Sequence, residues 1–248
     1  MQARIKILGT PIDPVTMAQA IEKAKEMLHQ GGYHQIVTAN PEILYQAQKD
    51  QELQKILEEA SLVTADGIGV VWASRKLATP VPERVTGIDL MASLLEESAQ
   101  QGWPCFFLGS APGIAEKAAE KLKQKHPTLQ IAGTQDGYFP PERTEEITQR
   151  IKTSQTKILF VGLGAPRQER WIHQFIEKAK RTSHQPLIAI GIGGSMDVLA
   201  GKTNRAPQWI QKLHLEWLYR LSKEPHRIKR QLNLPLFAIE VLKQSRKK

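Results

Sequence analysis

Asp66 leaves a short apolar run and enters a glycine turn, and no other side chain in this sequence is better placed to do chemistry. It follows Leu62-Val63-Thr64-Ala65 and precedes Gly67-Ile68-Gly69, so a carboxylate stands at the carboxyl end of an expected strand. There it could take the proton of a hydroxyl nucleophile. It could equally cap the helix that follows, a task Asp performs well, and position alone leaves both roles open. Thr38 and Asn40 hold the equivalent place one unit earlier, where turn and cap roles also suffice. Gln168 opens a helix after Ala165-Pro166-Arg167, with Pro at the first helical position. Arg84 is a loop arginine whose neighbours Pro82 and Gly87 point to a fixed conformation.

Glycines mark the other expected strand ends. Gly109-Ser110, Gly162-Leu163-Gly164 and Gly191-Ile192-Gly193 each follow an apolar run. Without side chains they let the backbone approach a ligand closely, and helix N-termini beyond them favour phosphate. A phosphate-bearing ligand such as a nucleotide is expected. Neither of the paired glycine clusters completes the dinucleotide fingerprint, because Arg167 and Met196 stand where the third glycine belongs. No Walker lysine motif, no Asp-x-Asp and no metal-like spacing of His, Asp and Glu is present. No metal and no cofactor is therefore expected, and Arg, Lys and helix dipoles would have to carry the charge of a leaving phosphate. Cys105 is the single cysteine, which excludes an internal disulfide and a cysteine-cluster zinc site. It lies in the apolar run Cys105–Gly109 and reads as core.

The elements that must position these residues alternate along the chain. Strands are expected at Ile5–Leu8, Gln35–Ala39, Leu62–Ala65, Cys105–Gly109, Gln130–Ala132, Ile158–Leu163 and Leu187–Ile192. Helical patterns occupy Thr16–Gln30, Pro41–Glu59, Ile88–Gln101, Gly113–Lys125, Thr144–Thr153 and Gln168–Lys180. Apolar strands buried on both faces and separated by helices predict an α/β fold with a Rossmann-like, doubly wound, mostly parallel sheet. In such a sheet ligands sit beyond the carboxyl ends of the strands, where the turns named above converge.

Charge divides the chain. Residues 202–248 carry twelve Lys or Arg against three Glu, whereas residues 1–201 carry 22 of each sign, so the whole net charge of +9 sits in the last segment. We expect an α/β body at 1–201 and a basic, amphipathic, helical appendage at 202–248. In the appendage Trp209, Leu213, Trp217 and Leu221 recur every four residues and form one apolar helical face. Glu224-Pro225 starts a second short helix, and a mostly apolar stretch runs from Leu234 to Leu242. A basic, partly apolar end on a neutral body suits an anionic partner: lipid, diphosphate or nucleic acid. Nucleic acid is disfavoured because no recognition motif accompanies the charge. No signal peptide and no run of ~20 apolar residues is visible, so a cytoplasmic protein with only peripheral membrane contact is expected.

Taken in order, Thr38-Ala39-Asn40-Pro41-Glu42, Thr64-Ala65-Asp66-Gly67-Ile68-Gly69, Glu83-Arg84-Val85-Thr86-Gly87-Ile88-Asp89, Phe107-Leu108-Gly109-Ser110, Gly162-Leu163-Gly164-Ala165-Pro166-Arg167-Gln168-Glu169 and Gly191-Ile192-Gly193-Gly194-Ser195-Met196-Asp197 resemble the WecG/TagA/CpsF glycosyltransferase family. The resemblance runs from about Ile7 to about Arg230. It implies transfer of a sugar, with inversion, from a UDP-sugar donor to a polyprenyl-diphosphate-linked acceptor at the inner face of the cell membrane. In the teichoic-acid branch N-acetylmannosamine passes to the 4-hydroxyl of N-acetylglucosamine; other members use uronic acid or glucose donors. The resemblance makes Asp66 the general base and places Arg84 near the active centre. Thr38, Asn40 and Gln168 would line the sugar pocket, with Gly109, Ser110, Gly162, Gly164 and Gly191 at the substrate. Arg220, Arg227 and Arg230 would approach the lipid or nucleotide diphosphate. A nucleotide-sugar-binding protein without transferase activity is the alternative, and a homo-oligomer is compatible with the apolar appendage.

Overall fold

The computed structural model describes residues 3–181, 185–212, 215–223 and 233–246. Its first strands, β1 (Ile5–Ile7) and β2 (Thr10–Ile12), form an antiparallel hairpin apart from the central sheet. Sequence pattern anticipates β1 but places it in the alternating series, and it misses β2. Pro11 lacks an amide N–H and is a poor strand signal. Next come α1 (Met17–Gln30), β3 (Tyr33–Ala39), α2 (Pro41–Ala47), α3 (Gln51–Glu59), β4 (Leu62–Ala65), α4 (Ile68–Lys76), α5 (Gly87–Gln101) and β5 (Cys105–Gly109). Then follow α6 (Ile114–Lys125), β6 (Ile131–Gln135), α7 (Thr144–Thr153), β7 (Ile158–Gly162), α8 (Arg167–Ala179), β8 (Leu187–Gly191) and α9 (Ser195–Leu199). Beyond Gly201 the chain forms α10 (Gln208–Lys212), α11 (Glu216–Lys223) and α12 (Asn233–Ser245).

The central sheet has six strands in the order β4-β3-β8-β7-β5-β6, all parallel. Alternate residues explain why it is covered on both faces. Ile36, Ile158, Phe160, Ile188 and Ile190 pack in a cluster with residues of α1, α5 and α6. On the opposite face Val37 and Val63 pack with α2, α3 and α4, while Leu159, Val161 and Ala189 pack with α7 and α8. The expected doubly wound, mostly parallel α/β fold is the one found.

Two helical expectations need correction. Pro41–Glu59 is two helices, because the Asp50 carboxylate accepts the Leu53 N–H at 3.0 Å and starts α3 as its N-cap. Trp209 and Trp217 do not share one helical face: they lie on separate helices, α10 and α11, and the Leu215 N–H before α11 reaches Ile210 O in α10. Leu213, the Glu224-Pro225 helix start, Arg227 and Arg230 lie outside the described residues. The apolar stretch from Leu234 forms α12, which packs against α2 and α4. Phe237 and Val241, one turn apart, are buried in the same cluster as Val37 and Val63. Gln244 adds a tie to the β1–β2 turn, accepting the Leu8 N–H at 2.9 Å. Among the described residues no helix is long and apolar enough to cross a membrane.

Candidate active site

Strand register brings the site together. Ala39 pairs with Ala65, so Asn40 and Asp66, the next residue on each strand, emerge side by side. Gly109 pairs with Gly162, and Val161 with Gly191, so glycine ends three strands of the sheet in a row. The turns beyond these ends enclose a cleft of about 660 Å³, a size suited to a small-molecule ligand. Thr38, Asn40, Asp66, Arg84 and Gln168 line it. Ser110, Gly162, Gly164 and Gly191 do so as well. Gly109 does not: it has φ +130°, and a Cβ there would strike the Gly162 carbonyl, so it serves close strand packing beneath the cleft.

The Asp66 side chain has a defined partner. Its Oδ2 accepts the N–H of Gly87, the first residue of α5, at 3.2 Å. Gly67, with no side-chain bond, takes the N-cap of α4, so Asp66 does not cap the helix that follows it. Asn40 is a cap, accepting the Ile43 N–H at 3.0 Å as the N-cap of α2 while facing the cleft. Thr38 Oγ1 donates to the Gly191 carbonyl at 3.5 Å, bridging β3 and β8. Pro166 stands at the N-cap of α8 rather than at its first helical position, and the Ala165–Pro166 peptide is cis.

Gln168 is held at both ends of its amide. Its Oε1 accepts the Gly193 N–H at 3.0 Å and its Nε2 donates to Glu169 Oε1 at 2.8 Å, which assigns the amide orientation. Both side chains are buried. Ser110, with φ +58°, turns the chain after β5 and donates its hydroxyl to Asp197 Oδ2 at 3.1 Å. Arg84 Nη2 donates to Glu216 Oε2 at 3.2 Å, across from the C-terminal segment. Arg220 is placed in α11, one helical turn after Glu216.

Glu169, Asp197, Glu216, Trp72, Trp217 and Phe237 also line the cleft. Glu169 and Asp197 were within reach of sequence reasoning, since they close the glycine-containing motifs that carry Gln168 and Gly191. Glu216 had no such signal, being 132 positions from Arg84.

Residues at the starts of α2, α4, α5 and α9 line the cleft, so positive helix ends face it, together with the carboxylates of Glu42, Asp66, Glu169, Asp197 and Glu216 and the guanidinium of Arg84. The ends of α2 and α4 meet so closely that a Cβ on Gly69 would lie 2.6 Å from Pro41 Cγ. Nearby, burial pushes the Asp89 carboxyl up, but bonds from Arg205 and Thr86 outweigh it and hold the group below the usual range. Burial acts to lower the Arg205 pKa, and Asp89 and Glu216 more than offset it, so the net shift is upward. Cys105 is fully buried, and burial pushes its thiol up to about 12, in keeping with a core role. Among the described residues no three His, Cys, Asp or Glu side chains are grouped to hold a metal ion.

Comparison with known proteins agrees with this architecture. The family model "Glycosyl transferase WecG/TagA/CpsF family" matches residues 5–248. An N-acetylglucosaminyldiphosphoundecaprenol N-acetyl-beta-D-mannosaminyltransferase of Bacillus spizizenii (strain W23) is 38% identical over 211 residues, covering 85% of this chain and 79% of the relative. A protein of the same name from Staphylococcus aureus (strain MW2) is 36% identical over 247 residues, covering 99% and 94% of the two chains. With its parallel sheet, its glycine-ended cleft and a match over nearly its whole length, the chain belongs to the WecG/TagA/CpsF glycosyltransferase family.

Proposed function

We propose that this glycosyltransferase moves N-acetylmannosamine from a UDP donor to the 4-hydroxyl of N-acetylglucosamine on a polyprenyl diphosphate, in cell-wall polysaccharide synthesis. The observation that carries this reading is the placement of Asp66, a carboxylate inside the cleft, beside the N-termini of α2, α4 and α5. The names of the two relatives supply the sugar and the acceptor.

In this reading Asp66 takes the proton of the acceptor hydroxyl as that oxygen bonds to the anomeric carbon. The bond from that carbon to the UDP oxygen breaks on the opposite side, and the configuration inverts. The departing diphosphate takes its stabilisation from Arg84, the helix ends and Arg220, without a metal or cofactor. Arg227 and Arg230, outside the described residues, complete that cationic set. Gln168, with one N–H and one lone pair of its amide already engaged, presents the remainder to the sugar. Thr38 and Asn40 border the same space. The basic C-terminal segment, with exposed Trp209, Leu218 and Ile239, supports peripheral contact with an anionic membrane at its cytoplasmic face.

The test is turnover of UDP-N-acetylmannosamine with a short-chain lipid-diphosphate-GlcNAc acceptor, run beside UDP-glucose and a UDP-uronic acid. Asp66→Asn keeps an oxygen able to accept the Gly87 N–H, so the fold is expected to stand while turnover falls ~10²–10⁴-fold. Undiminished turnover removes Asp66 as the base. UDP binding without product from any donor would favour the non-catalytic alternative.

A further inference from the structure

A line of charged side chains joins the C-terminal segment to the loop that carries Arg84. Arg205 clasps Asp89 through two bonds, Nη1 to Oδ1 at 2.7 Å and Nη2 to Oδ2 at 3.1 Å. Thr86 Oγ1 donates to the same Asp89 Oδ2 at 2.6 Å. Glu216 stands between two arginines, with Oε1 3.6 Å from Arg205 Nε and Oε2 3.2 Å from Arg84 Nη2. The side chains of Arg84 and Glu216 are only 20% and 15% exposed, so water screens this pair less than an ordinary surface pair.

The order along the loop matters. Arg84, Thr86, Gly87 and Asp89 lie within six residues. Gly87 holds Asp66 and Asp89 holds Arg205. One short stretch therefore connects the proposed base, the arginine of the cleft and the anchor of the C-terminal segment. An arginine in an open cleft samples many rotamers, and a fixed partner removes that freedom before a ligand arrives. Glu216 engages only Nη2; among the described residues, Arg84 Nε and Nη1 make no hydrogen bond, which leaves them for a ligand. A carboxylate held by Arg205 on its other oxygen is itself a fixed partner.

We propose that Glu216 is a positioning residue for Arg84, held in place by Arg205, so that the C-terminal segment sets the geometry of the 84–89 loop. Glu216 acts through Arg84 rather than on the substrate. The inference rests on the proposed transferase reading.

The experiment uses the full chain and compares wild type, Glu216→Gln, Arg205→Gln, Arg84→Lys and the Glu216→Gln/Arg84→Lys double variant. Each is assayed for kcat and donor KM at saturating acceptor, with a melting curve. Glu216→Gln keeps the shape and removes the charge. It should lower kcat about 10-fold, with donor KM and melting temperature nearly unchanged, as misplacement of a group needed in the transition state requires. Arg205→Gln should act in the same direction and less strongly. In the Arg84→Lys background Glu216→Gln should add less than about twofold, because both changes remove one interaction. A Glu216→Gln enzyme within about twofold of wild type in kcat overturns the proposal. So do effects that multiply in the double variant, or a kcat loss that tracks a lowered melting temperature. Wild-type turnover with an unaffected Glu216→Gln leaves the transferase reading standing. Absence of wild-type turnover with every donor removes that reading and this inference together.

Discussion

Phe237→Ala tests how α12 belongs to the molecule. Phe237 is 2% exposed and Val241 0%, and both enter the cluster formed with α2 and α4. Truncating a buried Phe to Ala costs ~3–5 kcal/mol. What remains to hold the helix is Val241, worth ~1.5–3 kcal/mol of burial, and the Gln244 bonds to Leu8 and Lys6, at ~1 kcal/mol each. Phe237 thus supplies about as much as Val241 and Gln244 together in docking the 13 residues of α12. The helix should therefore detach before the sheet unfolds. The assay is amide hydrogen exchange over residues 233–245, where the rate should rise ~10²–10⁴-fold, the exponential of the lost free energy. If α12 instead unfolds only with the whole domain, the melting temperature should drop ~6–20 °C. Turnover should fall in either case, because Leu234, Phe237 and Ala238 form one wall of the cleft. Leu236→Ala is the control: that neighbour is 42% exposed and its loss should stay within ~0.5 kcal/mol. Wild-type exchange and melting in Phe237→Ala would refute the packing argument.

Two further outcomes follow from the site. Glu169→Gln replaces the charged acceptor that orients the Gln168 amide with a neutral one; trading a bond of ~1.5–3 kcal/mol for one of ~1 kcal/mol should raise donor KM ~2–30-fold, and a donor titration with unchanged KM would show that the amide needs no such guide. The Cys105 thiol, pushed up to about 12 by burial, should resist a thiol reagent at pH 8 in the native protein and react fully in denaturant, since burial disfavours the thiolate. Rapid native labelling would contradict its place in the core.

The proposed coupling of Asp66, Arg84 and the C-terminal segment has a consequence for how the site is built. Asp66 directly follows β4, Gly87 opens α5 and Glu216 opens α11, yet each is one bond from the next member of the set or from the loop that joins them. If the proposed coupling holds, a change in the C-terminal segment reaches Asp66 through the Arg84–Glu216 side-chain pair and the Gly87 N–H, with no change in the strands.

Strand runs such as Leu62–Ala65 and Cys105–Gly109 could be read to the residue from sequence, because every residue in them is buried and all the side chains but Thr64 are apolar. β6 was misplaced by its start and length, since its residues are mostly half-buried and its pattern is weak. The glycine-ended turns and Asp66 were also legible, because strand ends announce themselves locally through composition. Asp66's partner was not: the adjacent helix start at Gly67 needed no carboxylate, and the carboxylate went to Gly87, 21 positions away. The same holds for Arg84 with Glu216 and Arg205 with Asp89, pairs separated by 132 and 116 positions. Sequence by itself determined which segments must be buried and which residues stand at strand ends, since periodicity and turn chemistry are local properties. Only the tertiary structure decided which charges meet, because hydrogen bonds and ion pairs form across a few ångströms of space that the chain reaches only after the sheet and its helices have packed.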